Sequence, residues 1–339
     1  MDKIRIAFIG CGGMSSQLQQ CIPMVPEFEF VATCDLVEEK AASNARRFGA
    51  LRHYTDYNEM FKNEDLYAVA VVGRPEDKLH RDIGIECLRE GYHIYTEKPP
   101  ATTAEGAKML VDASIESGKT GMVGTMWRHA PANRIAKQLM DEDEFGIPCQ
   151  YHTRYLAPGP RLNEAGSPFA WPFMLDQVIH PTDCMRFFMG QVSEVFAMGT
   201  VEAASSTVSM SVNLRYANGG IGTMTLGTGP VLEAMVFIKG TGNQAIQVLE
   251  TRKLRRYRMP TWLGEGGGYA DTPTEEWTLN TAYHGIGRPG YLEEMQHWAQ
   301  SLQAGTQPHS SLEDSYQNMR VLEAISRSIE TGEVVQISA

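Results

Sequence analysis

The chain has 339 residues, 42% of them apolar and 21% charged, which marks a globular protein long enough for two domains with sizeable cores. Its 30 Lys and Arg against 41 Asp and Glu give a formal charge of −11, which argues against nucleic acid or an anionic membrane as a partner and points to a small molecule. The 6 cysteines show no paired or framework spacing and the 9 histidines no metal-ligand spacing, so reduced thiols and no metal centre are expected. No basic segment followed by an apolar one opens the sequence, and no apolar stretch approaches the roughly 18 residues of a membrane span. A cytoplasmic protein with no membrane partner is the expectation.

The sequence opens on Lys3-Ile4-Arg5-Ile6-Ala7-Phe8-Ile9-Gly10-Cys11-Gly12-Gly13-Met14-Ser15, an apolar run that stops at glycines and then turns Gln-rich. Such a run is the mark of a buried parallel strand, Gly10 can turn the chain without Cβ strain, and Gly12 lets the backbone approach something bulky. Strand, tight turn and helix are predicted, with the N–H groups and positive dipole end of the helix suited to a pyrophosphate. Gly10, Gly12, Gly13 and Met14 are thus candidates to hold a dinucleotide. A second apolar run, Phe28 to Cys34, ends in Asp35 about 20 residues past the glycines, where a carboxylate accepts bonds from the adenine ribose hydroxyls. Its charge repels a 2′-phosphate, which favours NAD over NADP. The other reading of Asp35 is a cap on the helix beginning near Val37.

Strand and helix then alternate. Helix is predicted from Glu38 to Phe48, stopped by Gly49, then a short strand from Leu51 to Tyr54, a helix from Tyr57 to Phe61 and a strand from Leu66 to Val72. Gly73-Arg74-Pro75 follows at the carboxyl end of that strand, where open α/β sheets bind ligands, so Arg74 and Pro75 are placed beside the nicotinamide half of the cofactor. An ordinary strand-to-helix turn is the other reading. Helix Asp77 to Arg89, strand His93 to Thr96, helix Ala104 to Ser117 and strand Thr120 to Gly124 complete a doubly wound pattern. A dinucleotide-binding domain is expected over residues 1–126.

Beyond Met126 a helix from Ala132 to Asp143 precedes β-rich runs at Gln150 to Leu156, Val192 to Gly199, Ser206 to Tyr216, Ile221 to Leu226, Ala234 to Lys239 and Ala245 to Leu249. Asn218-Gly219 between two of them signals a hairpin. Residues 127–339 are therefore expected to form an α/β domain with a large, mostly antiparallel open sheet. Its exposed face predicts a homodimer or homotetramer. The run Arg252 to Arg258 reads as a strand of alternating exposure. Helices from Tyr291 to Ala304 and from Leu312 to Thr331 close the chain and could pack back on the first domain.

Two constellations carry chemistry. In Glu97-Lys98-Pro99 a lysine follows a parallel strand, placed to stabilise negative charge on a substrate oxygen. In the second, Asp176-Gln177-Val178-Ile179-His180-Pro181-Thr182-Asp183, the i, i+4 spacing keeps Asp176 close to His180, which can exchange a hydroxyl proton. Pro181 suggests that any helix there has barely begun.

Taken together, the glycine loop, Asp35, Glu97-Lys98-Pro99 and the Asp176 to Asp183 block make the sequence resemble the Gfo/Idh/MocA family of dinucleotide-dependent oxidoreductases over most of its length. Met126-Trp127-Arg128-His129-Ala130-Pro131 and the pattern around Tyr291, Pro308, Ser311 and Ser326 are similar too. The resemblance implies a Rossmann domain, an antiparallel α/β domain and a sugar, inositol or related polyol bound between them, with Lys98, Asp176 and His180 as the catalytic trio. Glu97 and Lys98 join the cofactor residues. Arg128, Arg154, Tyr155, Trp171 and His284 are candidates to line the substrate pocket. Ser15, Val178 and Pro172-Phe173 depart from the family pattern, in which a small apolar residue, a Gly and a Gly-Gly pair are common. Oxidation of a secondary hydroxyl is the leading expectation. Glycoside cleavage through transient oxidation, and a ligand-sensing regulator without turnover, are the alternatives.

Overall fold

The computed structural model describes residues 3–159, 169–202, 205–242, 244–258, 272–279 and 289–338. They belong to two units, Met1–His129 with Ala282–Met319, and Ala130–Thr281 with Arg320–Ala339. The first unit therefore includes a C-terminal segment that a single cut at Met126 leaves out.

In the first unit β1 (Ile4–Ile9), β2 (Phe28–Cys34), β3 (Arg52–Tyr54), β4 (Ala68–Val71), β5 (His93–Glu97) and β6 (Gly121–Gly124) lie in the order β3-β2-β1-β4-β5-β6, all parallel. The direction of winding reverses between β1 and β4, which is where such sheets bind ligands. The strands are short and apolar throughout because both faces are covered. Side chains alternate across the pleat, so Ile6 and Phe8 share one face with Leu18, Phe30 and Tyr95, while Ala7 and Ile9 share the other with Val31, Leu88 and Leu110.

The Ile6 face is closed by a helix from far along the chain, Tyr291–Ala304. Trp298 of this helix is buried against Phe28 and Tyr95, with ring centroids 5.2 and 5.5 Å away. The segment after the helix reaches the sheet edge, where the Val123 N–H donates to the Ser310 carbonyl at 2.8 Å. Leu312 fills the space that Gly121 leaves, since a Cβ there would come within 2.5 Å of it. The helix expected from Asp77 to Arg89 begins instead with a wide π turn, Asp77–Ile83, and becomes α-helical only over Gly84–Arg89.

The second unit is built on a 9-stranded sheet: β7 (Pro148–Ala157), β8 (Val192–Glu202), β9 (Thr207–Tyr216), β10 (Ile221–Thr228), β11 (Glu233–Gly240), β12 (Gln244–Leu249), β13 (Lys253–Arg258), β14 (Glu275–Thr278) and β15 (Val335–Gln336). Among the described residues, only β7 and β10 pair in parallel; the other pairs are antiparallel. The Asn218-Gly219 turn joins β9 to β10, with Gly219 at a φ of +85° and Asn218 Oδ1 accepting from the Gly220 N–H at 2.9 Å. The short edge strands β14 and β15 carry too few residues to show a periodicity and were not anticipated.

Helices Pro131–Met140 and Ile179–Met189 pack on the inner face, onto Tyr151, Ile246 and Leu254 among others. The opposite face exposes Ser209, Ser211, Asn213, Thr223 and Thr225. Exposed Met198 and Ile221 lie on the same face, so apolar side chains are interspersed among its hydroxyls and amides. In β13 the expected alternation turns Leu254 inward, but the next inward position is Arg256, whose guanidinium is buried on Gln244 Oε1 at 3.0 and 2.7 Å and on Glu142. The alternating exposure read from the sequence holds, with an arginine at one of the inward positions. Among the described residues, no helix is long and apolar enough to cross a membrane.

Trp298→Ala should destabilise the first unit by about 3–5 kcal/mol through the cavity it opens against Phe28 and Tyr95. Chemical denaturation followed by Trp and far-UV signals reads this directly. A loss below about 1 kcal/mol, the size of an ordinary surface change, would mean that the helix is not part of that core.

Candidate active site

The turn after β1 is fixed by sterics. Gly10 has a φ of +93°, and a Cβ on it would lie 2.0 Å from the Val72 carbonyl oxygen, so only glycine fits. Gly12 precedes the helix Gly13–Gln19 in extended conformation. A Cβ on Gly12 or Gly13 would meet no protein atom within 4 Å. Packing thus gives no reason for these two glycines, whereas a phosphate laid along the N–H groups of the turn gives one.

Asp35 holds this turn from the end of β2. Its Oδ2 accepts from the Cys11 N–H at 2.8 Å and its Oδ1 from the Val37 N–H at 2.9 Å. The helix Glu38–Phe48 takes Val37 as its N-cap, without a side-chain cap bond, so Asp35 is a staple between strand and turn rather than a helix cap. A carboxylate has lone pairs left over for ribose hydroxyls. Ser15, a departure from the family pattern, is put to use: its buried hydroxyl donates to the Gly10 carbonyl at 2.6 Å and accepts from Gln19 Nε2 at 2.7 Å. The Met14 sulfur accepts from the Tyr291 hydroxyl at 3.8 Å. Burial pushes the Cys11 and Cys34 thiols up to about 12, so neither supplies a thiolate.

At the carboxyl ends of β4 and β5 the Arg74–Pro75 and Lys98–Pro99 bonds are both cis. Arg74 is exposed and pairs with Glu76 at 3.3 Å. Glu97, expected to touch the cofactor, turns inward: its Oε2 accepts from the Lys98 N–H at 3.1 Å and its Oε1 lies 3.2 Å from the Tyr95 hydroxyl. The same hydroxyl lies 3.0 Å from Glu294 Oε2. One phenol proton cannot be given fully to two carboxylates, so Glu97 and Glu294 compete for it. Burial pushes the Glu97 carboxyl up to about 7, against the pull of Lys98, which suits a shared proton. Gly124 leaves the room, since a Cβ there would lie 2.3 Å from the Tyr95 oxygen. Glu97 is therefore a buried prop beneath Lys98, and its partner Glu294 carried no signal in the sequence.

In the second unit Asp176 and His180 lie on one helical run, formed by Trp171–Phe173, a π turn Met174–Val178 and Ile179–Met189. The helix is well under way at Pro181, contrary to expectation. The wide turn just before the proline is the local device that lets a helix continue through a residue without an N–H. Asp176 Oδ2 accepts from Gln177 Nε2 at 2.9 Å, and Gln177 Oε1 accepts from the buried Tyr155 hydroxyl at 2.7 Å. Gln177 was not anticipated, although its place beside Asp176 was visible. His180 is 9% exposed and Trp171 half-buried at the start of the run.

Two pocket candidates are corrected. Arg154 and Tyr155 are neighbours on β7, so they face opposite sides of the sheet; Arg154 is exposed and pairs with Glu233 at 2.8 Å. Arg128 is buried and spends its fork internally, on Asp314 at 2.6 Å and the His309 carbonyl at 2.7 Å. His284 lies outside the described residues. Among the described residues, no group of three or more His, Cys, Asp or Glu is arranged to hold a metal.

Residues 4–125 match the model of an oxidoreductase family with an NAD-binding Rossmann fold, and residues 137–337 the model of that family's C-terminal alpha/beta domain. Inositol 2-dehydrogenase of Rubrobacter xylanophilus is 26% identical over 345 residues, covering 98% of this chain and 92% of that protein. Levoglucosan dehydrogenase of Pseudarthrobacter phenanthrenivorans is 27% identical over 215 residues, 58% of this chain and 54% of that protein, so the match spans about half of that relative's length. Among solved structures, a dehydrogenase from Chromobacterium violaceum has a TM-score of 0.88 at 21% identity over 98% of this chain and 97% of that chain. Levoglucosan dehydrogenase in complex with NADH and levoglucosan has a TM-score of 0.82 at 22% identity over 100% of each chain. At these identities the structures show a shared fold. Family models on both halves of the sequence settle the lineage: the chain belongs to the Gfo/Idh/MocA oxidoreductase family, and its first unit is an NAD-binding Rossmann domain.

Proposed function

We propose that the protein is an NAD-linked dehydrogenase acting on a secondary hydroxyl of a sugar or inositol-like polyol. The observation that carries this reading is the hydrogen-bonded row Tyr155, Gln177 and Asp176 leading along one helical run to His180. It sets an oriented carboxylate four residues ahead of an imidazole on the same helical run, the pair of groups that removal of a hydroxyl proton calls for. The names of the relatives, inositol 2-dehydrogenase and levoglucosan dehydrogenase, support the same substrate class.

Gly10, Gly12, Gly13 and Met14 hold the pyrophosphate of NAD, Asp35 the adenine ribose, and Arg74 and Pro75 border the nicotinamide half. When bound, NAD supplies the two-electron acceptor. His180 takes the hydroxyl proton, Asp176 orients and polarises it, and the Lys98 ammonium stabilises negative charge as it develops on the oxygen. In the reverse direction His180 returns the proton. Trp171 presents an aromatic face suited to a hydroxyl-rich ring.

With NAD and a panel of polyols and sugars, the reaction should form NADH in stoichiometric amounts, read by its absorbance. A panel that yields no NADH would refute the reading. Lys98→Ala, Asp176→Ala and His180→Ala should each lower kcat by about 10²–10⁴-fold, the range for general acid–base and charge-stabilising groups, with NADH affinity retained in a fluorescence titration. Undiminished kcat in all three would remove the assigned roles. Asp35→Ala should raise the KM for NAD about tenfold, the loss of hydrogen bonds to a charged group, and narrow the preference over NADP. An unaltered preference would show that Asp35 does not select the cofactor.

A further inference from the structure

Two loops leave the carboxyl ends of the adjacent strands β4 and β5, one through Gly73-Arg74-Pro75 and the other through Lys98-Pro99. A single side chain reaches both. His80, in the wide turn Asp77–Ile83, is 3% exposed, with its Nε2 3.2 Å from the Gly73 nitrogen and its Nδ1 2.7 Å from the Pro99 carbonyl oxygen. The backbone dictates the protonation of the ring. A backbone N–H can only donate, so Nε2 is bare, and a carbonyl can only accept, so Nδ1 carries the hydrogen. An imidazolium would set its second N–H against that of Gly73.

The same turn grips the second loop again at its far end. Asp77 accepts from the Thr102 N–H at 2.9 Å and from the Thr102 hydroxyl at 2.6 Å, so His80 and Asp77 together fix the stretch from Pro99 to Thr102. On the other side, Leu79 occupies the space over Gly73, where a Cβ would come within 2.5 Å of its Cδ2. A π turn gives up regular helical bonding and recurs at functional sites; here it brings Asp77 and His80 to bear on one loop. The charged groups around the ring are Glu76, Lys98 and Arg74. Burial depresses the imidazole to about 4, the Pro99 bond and Glu76 oppose the shift, and Lys98 and Arg74 add to it.

We propose that His80 is a positioning residue for the redox reaction, a neutral Nδ1-protonated clamp that ties the Lys98-Pro99 loop to the Gly73 loop and thereby fixes where the Lys98 ammonium is held. This rests on the role given to Lys98 above. His80 does not touch the reacting atoms; it acts through the Pro99 carbonyl.

Two substitutions separate its bonds. His80→Asn places an amide N–H where Nδ1 stood and keeps the bond to Pro99, whereas His80→Gln places an amide oxygen where Nε2 stood and keeps only the bond from Gly73. His80→Gln should lower kcat by about tenfold to a hundredfold, the cost of misplacing a catalytic group, with NADH affinity unchanged, and His80→Asn should recover most of that loss. Wild-type kcat in His80→Gln, or equal impairment in both variants, overturns the proposal. Should neither variant fold, ¹H–¹⁵N correlation of the histidine-labelled native protein decides: one ring must stay in the Nδ1–H tautomer from about pH 8 to about pH 5, below the ordinary imidazole pKa. A His80 ring that titrates within that range, or holds the Nε2–H tautomer, overturns it. Failure of the polyol reading would appear in the native protein as absent turnover, and it leaves the tautomer measurement standing as the test of His80.

Discussion

The structure depends on a clash that only glycine avoids. The backbone of Gly10 passes so close to the Val72 carbonyl that a methyl group has no place, and this contact fixes the turn at the point where the winding of the parallel sheet reverses. Two side chains are tied to that turn. Asp35 is bonded to it through the Cys11 N–H, and Ser15 is bonded back to the Gly10 carbonyl. A steric constraint of this kind costs nothing to maintain and leaves no alternative geometry. It is a better foundation for a binding loop than any single hydrogen bond, whose net worth is about 1 kcal/mol.

Above that foundation, polar groups are held by polar groups that face inward. Glu97 stands on Tyr95 and Glu294, Asp176 on Gln177 and Tyr155, and the two loops on His80. In each case a buried group fixes the rotamer or backbone of a more accessible one, which is how a site on loops acquires the precision of a site on rigid elements. Lys98 and Asp176 emerge from different folds within the chain, yet both are braced by a phenol hydroxyl on a strand, Tyr95 on β5 and Tyr155 on β7.

The parallel strands were legible because burial on both faces makes each a continuous apolar run, and the glycine turn and Asp35 because their roles fix residue type and spacing. What the sequence did not reveal depends on partners far away along the chain. Nothing near Tyr95 announces Glu294, and nothing near Phe28 announces Trp298. The alternation of β13 was legible, but what its inward Arg256 meets was not, since Gln244 and Glu142 lie far from it along the chain. Arg154 is a different failure: strict alternation along β7 already put it on the opposite face from Tyr155. The π turns escaped because α-helical periodicity was assumed through Asp77, and because Pro181 was read as the beginning of a helix rather than as a residue within one that a wide turn accommodates.

The helix Tyr291–Ala304 orders events as well as atoms. The nucleotide-binding sheet is encoded by residues 4–124, but one of its faces, covered in part by Leu18 and Ile22, is closed only once Tyr291–Ala304 has been made. During synthesis the ribosome must release the chain through Ala304 before that face can close. The nascent sheet is exposed for most of the elongation time, and the intervening unit has the opportunity to condense first. A sheet that waits for so distant a segment is completed by the return of the chain rather than by the order of translation.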